Sequence, residues 1–556
     1  MAAPFGPYAV RLWLPLVIYA GIAFAEFGTT GSWTSRYFST GDVDAFAYMW
    51  FLNWWPFAIC HQLNLFVSRF MWFPGGSNMT WDASVPVAAL VGWPATAIFG
   101  PVATYNVLTV SAPALSAWTA FLLAWRISQN WAAAIVGGFI YGFSSFEIAQ
   151  MIGHLNLDLI WLPPLIVLLC LLRYEGRLGA RRFVAVMSIA LLAQLGLSTE
   201  ILLTSCIFGA IAWLVFFALN QRDKKDVLIR LGLEVAASGV IMAVLAAPFF
   251  FYLVKGLGDI PRQFNSAALN SADIGNYLIP TVVTRIGQAQ FAAIANNFTG
   301  NPVEQGAYLG LPLIAMLVLY FRESIGNRNS RGLLIVLGLL VLCSLGPWLH
   351  LGAVETRVPL PWLIATKMPL ISSIMPTRLT MYVSLCVGIA AAHWIAGARG
   401  RRARVWRLGL ALIGCVALMP NPDVYPWTPV PVQPFFSAKT IRAVLGPMTN
   451  VLILPFGGDG PGSIWQIESG MQFTQSGGYL GYTPYHEALL PAMTDLYQGV
   501  PDPYFKQEFV TLCATHGIDF ILIAPGAEPN LVAAVLAEGW KQRVEDQVTI
   551  IEVPKA

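Results

Sequence analysis

The chain has 556 residues, of which 56% are hydrophobic and 11% charged, and its mean hydropathy is +0.63. Soluble domains carry about 25% charged residues, so the composition excludes an ordinary soluble protein and indicates one whose apolar surface is buried in a bilayer. The formal net charge of +3 is too small for a nucleic-acid-binding footprint. Seven cysteines are scattered singly without a CxxC pair, which argues against a disulfide framework or a structural zinc site.

Apolar runs recur along the chain, and a helix needs about 20 such residues to cross a membrane. The first run contains Ala23-Phe24-Ala25, which resembles a signal-peptidase site, but its length and the later runs favour an uncleaved helix. The stretch 85–101 is interrupted by Pro94 and Pro101, and we predict that it is interfacial or re-entrant. We predict about eleven spans, at 12–28, 104–125, 131–148, 156–172, 183–197, 201–219, 232–254, 305–321, 332–346, 379–397 and 407–419.

Basic residues cluster in short loops that this set of spans places on one side of the membrane. Short loops rich in Lys and Arg stay cytoplasmic, so the loops 29–84, 255–304 and 347–378 and the tail after about 420 are predicted to face outward. The basic residues are Arg126; Arg173, Arg177, Arg181 and Arg182; Arg222, Lys224, Lys225 and Arg230; Arg322, Arg328 and Arg331; and Arg399, Arg401, Arg402, Arg404 and Arg407.

The last part of the chain is less apolar than the rest. Strand-like runs occur at Val451–Phe456, Ile518–Ile523 and Val548–Val553, with helical patterns between them. We therefore predict two domains: a membrane domain at 1–424 and a small α/β domain at 425–556 on the outer side. His486 and Glu487 in the tail are expected to form a solvated surface pair.

Two carboxylates stand two residues apart in the first outer loop, 29–84. Asp42 and Asp44 precede an aromatic-rich, amphipathic segment with Trp50 and Trp54, a composition that suits the headgroup layer. The functional interpretation is a general base or a metal-binding pair at the rim of a lipid-facing cavity. The alternative is a helix N-cap, because Asp before a helix accepts backbone N–H bonds.

Further ionisable residues fall at the outer ends of spans. His154 and Asp158 are four residues apart, which places them on one face of a helix, while Glu147 ends the preceding span and Glu200 begins a later one. Ionisable groups at membrane depth are costly and usually face a bundle interior or a watery cavity. They are predicted to line a substrate site, and the alternative is that they are structural partners of other charges.

The third outer loop, 347–378, contains His350 and ends at Arg378, where a helix re-enters the membrane. Guanidinium groups bind phosphate oxygens in a bidentate way, so Arg378 is predicted to bind a lipid phosphate, with His350 in the same substrate-binding set. The alternative for Arg378 is a side chain that extends to the interface from a membrane helix.

These residues, in their order and their positions relative to the spans, resemble the GT-C superfamily of membrane glycosyltransferases over roughly residues 30–400. Val43 separates the two acids, which departs from the Asp-Asp or Asp-Glu signature of some members. The resemblance is carried by Gly41-Asp42, Trp50, Trp54, Phe73-Pro74-Gly75, Asn78, Gly100-Pro101, Tyr105-Asn106, Gly153-His154-Leu155, Pro163-Pro164-Leu165, Leu345-Gly346-Pro347 and Pro376-Thr377-Arg378.

The resemblance implies an α-helical polytopic membrane protein that moves a sugar from a polyprenyl-phosphate donor to a glycan, lipid or protein acceptor on the outer face. An aspartate of the first outer loop is then the base, which maps onto Asp42 with Asp44 as its neighbour, and transfer inverts the sugar carbon. Arg378 would balance charge on the leaving phosphate. No cofactor is certain, although some members use a divalent metal, which here would require Asp42 or Asp44 to meet a distant carboxylate such as Glu200. The implied location is a bacterial inner membrane with the C-terminal domain in the periplasm.

Two other functions remain open at this point. A transporter or flippase of a lipid-linked sugar would want ionisable residues near the middle of the membrane and paired broken helices, whereas the acids here lie at the outer ends of spans. A scaffold or sensor would use the tail to bind a partner and the spans as an anchor, for which about eleven spans are many.

Overall fold

A computed structural model describes residues 7–29, 31–39, 43–260, 264–352, 354–368 and 371–555. Its larger part is a bundle of helices, and its smaller part is an α/β unit built from the C-terminal residues. The helices of the larger part are α1 Pro7–Ala23, α2 Val43–Cys60, α3 Pro86–Ser128, α4 Trp131–Gly142, α5 Ser145–Gln150, α6 Leu155–Asp158, α7 Leu162–Tyr174, α8 Ala180–Leu197, α9 Thr199–Leu219, α10 Arg222–Leu245, α11 Ala247–Lys255, α12 Ala289–Ala295, α13 Gly310–Ser324, α14 Arg328–Ser344, α15 Trp362–Ala365, α16 Thr380–Ala396 and α17 Arg401–Ala417.

Eight segments of the described chain are helices long and apolar enough to cross a membrane, and each coincides with a predicted span. The other three predicted spans correspond to α13, α14 and α17, which have 15, 17 and 17 residues. The predicted polytopic helical fold is therefore confirmed. The candidate segments are Val10–Gly28, Pro86–Ser128, Trp131–Gln150, Leu155–Tyr174, Ala180–Leu197, Thr199–Leu219, Lys224–Leu245 and Pro376–Ala396.

The longest helix, α3, includes the stretch 85–101 and is kinked where that stretch ends, and an interfacial or re-entrant position for it stays a prediction. The stretch 85–101, expected to be interfacial or re-entrant, is helical from Pro86 and continues into the next span across a kink at Gly100, whose φ is 84° and ψ 165°. Pro101 follows directly and has no backbone N–H to donate. Gly100 and Pro101 therefore interrupt the helical hydrogen bonds at the same place and produce the kink. The 43 residues would extend roughly 65 Å if straight, about twice the hydrocarbon thickness.

Helices α4 and α16 cross in close contact at two glycines. A Cβ atom added to Gly388 would lie 2.4 Å from the carbonyl oxygen of Gly137, and one added to Gly137 would lie 2.6 Å from that of Gly388. Small residues let the backbones of membrane helices approach in this way. The crossing brings α16 close to the helix that leads into α5.

Helix α2 lies inside the protein, which corrects the expectation of an amphipathic segment in the headgroup layer. Twelve of its 18 residues are buried, and the indole N–H groups of Trp50, Trp54 and Trp55 donate to Gln466, Leu65 and Ser84. Its aromatic side chains and apolar residues of the C-terminal unit, including Leu454 and Phe456, share one hydrophobic core.

The C-terminal unit is built on a five-stranded mixed sheet with the order β10–β11–β9–β7–β8. The strands are β7 Thr449–Leu454, β8 Phe473–Gln475, β9 Phe520–Ile523, β10 Gln542–Glu545 and β11 Val548–Glu552. Strand β7 pairs in parallel with β8 and β9, and the last two pairings are antiparallel. All three predicted strands are present. The surrounding helices are α18 Ala438–Val444, α19 Gly462–Glu468, α20 Tyr485–Ala488, α21 Pro491–Gln498, α22 Phe505–His516 and α23 Pro529–Leu536.

The first outer loop pairs with the edge of this sheet. Met71 forms a parallel bridge with Gln475 at the end of β8, and Phe73 N donates to the carbonyl oxygen of Gln475 at 3.0 Å. A second junction is the antiparallel pair of β1 Arg36–Phe38 and β6 Trp427–Pro429. The other short strand pairs are β2 Val67–Ser68 with β3 Ser77–Asn78 and β4 Trp348–Leu351 with β5 Val354–Pro359.

Two expectations about individual side chains can be compared with the fold. All seven cysteines are free thiols, and Cys386, Cys415 and Cys513 are buried. The prediction that His486 and Glu487 form a solvated surface pair is wrong for Glu487, because that residue is 2% exposed. Its carboxylate lies 2.9 Å from His516 Nε2 and 3.4 Å from His486 Nε2, and His486 Nδ1 contacts Asp259 at 2.7 Å.

Candidate functional site

Asp44 lies in the first turn of α2, where residues from three distant parts of the chain meet. Its Oδ2 lies 3.1 Å from His154 Nε2, and its Oδ1 accepts a hydrogen bond of 2.8 Å from the hydroxyl of Tyr479. The side chains of Asp44 and His154 are 25% and 16% exposed, so both are reachable from solvent. Asp42 lies outside the described residues.

The amide of Gln150 determines which ring nitrogen of His154 carries a proton. Gln150 Nε2 donates to the carbonyl oxygen of Val303 at 3.1 Å, and a carbonyl can only accept, so Gln150 Oε1 is the atom that faces His154 Nδ1 at 2.7 Å. Nδ1 must therefore donate. Nε2, the other ring nitrogen, faces the carboxylate of Asp44.

Arg378 stands between two glutamates. Its Nη2 lies 2.6 Å from Glu304 Oε1, its Nε lies 3.1 Å from the same oxygen, and its Nη1 lies 2.5 Å from Glu200 Oε2. The side chains of Glu304 and Arg378 are 2% and 14% exposed. The alternative of a side chain that extends to the interface does not fit, because the guanidinium is held within the protein, and binding of a lipid phosphate stays a prediction. A cavity of about 10 Å³ borders Glu200 and Arg378, which is room for about one water molecule.

Opposite charges favour the ionised forms of Asp44 and Glu304, two acids outside the spans. Burial alone would raise the pKa of Asp44, but the hydrogen bond and charge of His154, the hydroxyl of Tyr479 and the charge of Arg378 outweigh it and lower that pKa. Burial likewise opposes ionisation of Glu304, and Arg378 outweighs it, so the pKa of Glu304 is also lowered. The site therefore contains carboxylates that stay ionised although they are enclosed.

Asp158 does not join this group, although it is one helical turn from His154. Its carboxyl is fully buried, as is that of Glu147, and neither has a hydrogen-bond partner among the described residues. The two acids lie close enough to repel each other when both are ionised. Because α6 is only one turn long and begins after His154, the imidazole and the Asp158 carboxyl reach different neighbours.

His350 also lies apart from Asp44 in its contacts. It is buried in the hairpin of β4 and β5, where its Nε2 lies 3.7 Å from Glu355 Oε2 across the strands. Its Nδ1 has no hydrogen-bond partner in the part of the chain that the structure describes. A contact of His350 with substrate thus remains a prediction.

Around Asp44, the described residues do not form a metal site with three close ligands. Among the described residues, the grouping of that kind is Asp495, Asp502 and Glu508 in the C-terminal unit. Both oxygens of Asp44 accept from neutral or cationic donors. Glu200 Oε1 is buried without a partner in the described chain, but the other Glu200 oxygen is held by Arg378.

Three members of the site were not predicted from the sequence, namely Gln150, Glu304 and Tyr479. Gln150 precedes His154 by four residues, and Glu304 ends an outer loop next to a predicted span, so their positions carried a weak signal. Tyr479 had none, because it reaches Asp44 only through the pairing of the first outer loop with β8.

The comparisons with known proteins concern the fold. No protein-family model matches the sequence, and no curated protein matches it. The mycobacterial arabinofuranosyltransferase AftD is similar with a TM-score of 0.61 and 15% identity over 98% of this chain. The chain spans 40% of AftD's length.

Two shorter proteins show the same architecture. The apo oligosaccharyltransferase of Archaeoglobus fulgidus has a TM-score of 0.50 and 13% identity, covering 94% of this chain and 72% of its own. ArnT from Cupriavidus metallidurans, bound to undecaprenyl phosphate, has a TM-score of 0.50 and 12% identity, covering 98% of both chains. The chain is an integral membrane protein with the fold of the GT-C membrane glycosyltransferases.

Proposed function

We propose that this protein transfers a sugar from a polyprenyl-phosphate donor to a glycan, lipid or protein acceptor on the outer face of the membrane. The observation that carries the proposal is the Asp44 carboxylate, which neighbouring donors keep ionised at the end of a bundle of membrane helices. The fold supports a lipid donor, because ArnT was solved with undecaprenyl phosphate and AftD is an arabinofuranosyltransferase. The proposed location is a bacterial inner membrane with the C-terminal unit in the periplasm.

The proposed reaction is a single displacement with inversion. The acceptor hydroxyl oxygen attacks the anomeric carbon, the bond between that carbon and the phosphate oxygen breaks, and the phosphate leaves with the bonding electrons. The Asp44 carboxylate takes the hydroxyl proton. Asp42, two residues earlier in the chain, is the second candidate for this role.

Arg378 is proposed to act on the leaving phosphate while it keeps its glutamate partners. A guanidinium has five N–H donors in a fixed fork, and the contacts with Glu200 and Glu304 use three of its nitrogens without using every hydrogen. A phosphate oxygen can accept one that remains, so the arginine would stabilise negative charge as it develops. The two glutamates fix its orientation in advance.

The test is reconstitution of the purified protein in liposomes with a panel of polyprenyl-phosphate sugars, followed by measurement of released polyprenyl phosphate. Asp44→Asn keeps the shape and removes the base, and Asp423→Asn is the matched control at an exposed position. We expect turnover by the wild type and the control, and a loss of at least about a hundredfold in Asp44→Asn.

Other outcomes would change the proposal. Turnover that survives in Asp44→Asn and collapses in Asp42→Asn would move the base to Asp42. An absence of turnover with every donor, combined with movement of labelled lipid between the leaflets, would replace the transferase by a flippase.

A further inference from the structure

The segment 476–481 of the C-terminal unit lies against the first outer loop and reaches Asp44. The Ser476 hydroxyl donates to the carbonyl oxygen of Phe73 at 2.9 Å, Trp72 N donates to that of Gly477 at 3.3 Å, and the Tyr479 hydroxyl donates to Asp44. We propose that Tyr479 is a positioning residue for Asp44, so that the C-terminal unit completes the catalytic site. This inference rests on the proposed role of Asp44 as base.

Two glycines allow the segment to approach closely enough. Gly477 has a φ of 150° and Gly478 a φ of 98°. A Cβ atom at Gly477 would lie 2.5 Å from the ring of Phe456, and one at Gly478 would lie 2.8 Å from Met71 Sδ. A side chain at either position would displace the backbone that presents Tyr479.

The segment is held from the sheet side as well. Ser476 N donates to the carbonyl oxygen of Val451 at 2.9 Å, and the Asn450 amide donates to the Ser476 hydroxyl at 2.8 Å. Strand β8 ends at Gln475, one residue before Ser476, so Tyr479 stands on a short extension of a paired strand. A tyrosine held in this way can orient a partner more firmly than one on a free loop.

Two donors among the described residues bind different oxygens of the Asp44 carboxylate. Tyr479 occupies Oδ1 and His154 faces Oδ2, which limits rotation of the carboxylate about its bond to Cβ. Donors to a carboxylate also favour the ionised form. Tyr479 therefore contributes to both the orientation and the charge of the base.

The first experiment compares Tyr479→Phe with Tyr497→Phe in the transferase assay. Tyr497 lies in the same unit, and its hydroxyl bonds to Thr483 at 2.6 Å. We expect Tyr479→Phe to lower kcat about tenfold, because a hydrogen bond to a charged group is lost, and to leave KM for the donor unchanged. Since the pKa of Asp44 rises when a donor is lost, the acid limb of the kcat profile should move to higher pH, whereas Tyr497→Phe should move neither quantity.

A second measurement does not depend on turnover. Thermal unfolding of Tyr479→Phe, Asp44→Ala and the double variant forms a double-mutant cycle. If the contact exists, the double variant loses less in Tm than the sum of the single losses. Additive losses would overturn the inference, and so would a fall in kcat without a move of the acid limb. Absence of turnover in the wild type would defeat the transferase proposal while the cycle still reports on the contact.

Discussion

His154 Nε2 lies 3.1 Å from Asp44 Oδ2, although 110 positions separate the two residues in the chain. Asp44 lies in the first turn of α2, and His154 directly precedes the short α6, after the third span of the bundle. The contact therefore joins two connections of the helix bundle at the proposed base. Gln150, one turn before His154, fixes the orientation of the imidazole.

The first prediction concerns His154→Asn. The substitution removes the imidazole that lowers the pKa of Asp44, so that pKa should rise. Because the base works as a carboxylate, activity is lost as pH falls through the Asp44 pKa, and in the variant the loss should begin at a higher pH. We expect kcat at neutral pH to fall by about tenfold to a hundredfold.

The measurement is the pH profile of polyprenyl-phosphate release. His61→Asn is the control, because His61 is exposed just after α2, where its Nδ1 lies 2.8 Å from the carbonyl oxygen of Phe57. An acid limb at the same pH in wild type and His154→Asn would contradict the prediction.

The second prediction concerns the ion-pair cluster of Arg378. Arg378→Met leaves Glu304 and Glu200 without their cation, which should cost about 3–5 kcal/mol of folding stability, and Glu304→Gln in the same chain should recover part of it. Tm in detergent, followed by tryptophan fluorescence, measures both changes. The exposed Arg399→Met is the control, and an equal Tm for the two arginine variants would contradict the prediction.

The sign of the pH dependence follows from Glu304. Its pKa is lower in the folded protein than its ordinary value, because Arg378 outweighs burial. The stability that this pair contributes is therefore present above about pH 4.5 and is lost as pH falls through the lowered pKa. Arg378→Met should remove this part of the acid sensitivity of Tm.

The third prediction concerns Asp82, which is 7% exposed in the first outer loop and accepts from the Ser77 hydroxyl at 2.7 Å. Burial raises its pKa well above the ordinary value despite that bond. The folding stability is then greatest below the pKa that Asp82 has in the unfolded chain, and it falls as pH rises toward the higher pKa that Asp82 has in the folded protein. Asp82→Asn keeps the acceptor and removes the ionisation, so it should raise Tm, by more at about pH 8 than at about pH 5. An increase that is the same at both pH values would show that ionisation of Asp82 does not limit stability.

The fourth prediction uses a matched pair of glycines. Gly388→Ala places a methyl group 2.4 Å from a carbonyl oxygen of α4, whereas Gly338→Ala on α14 meets nothing within 4 Å. The first substitution should lower the free energy of unfolding by about 1–3 kcal/mol, and the second should leave it unchanged or raise it slightly. Equal Tm values for the two variants would show that α4 and α16 separate without cost.

The sequence predicted the helix bundle well because membrane burial imposes long apolar runs, and the strands of the tail because their alternation with helices is regular. It did not predict that α2 is buried, since the tryptophans that suit a headgroup layer also suit a protein core. The position of α2 depends on the C-terminal sheet, and no local pattern reports such a contact.

Part of the site was predictable because charged residues are rare in a membrane helix bundle and therefore stand out in the sequence. Asp44, His154, Glu200 and Arg378 lie at the ends of helices where charge is unusual, and the structure brings them together. Asp158 shares that pattern but faces Glu147, because a one-turn helix does not keep His154 and Asp158 on a common face. Tyr479 could be found only once the pairing of Met71 with Gln475 was known.

The distance along the chain between Asp44 and Tyr479 has a consequence for biosynthesis. The two residues are 435 positions apart, and ribosomes add about 5–20 residues per second. Asp44 is therefore made roughly 20 to 90 seconds before its tyrosine partner. A growing chain can insert its helices during that interval, but it gains a complete site only after the C-terminal sheet has folded onto the first outer loop. If Asp44 is the base as proposed, an unfinished chain lacks the tyrosine that positions it and should transfer sugar more slowly than the finished chain.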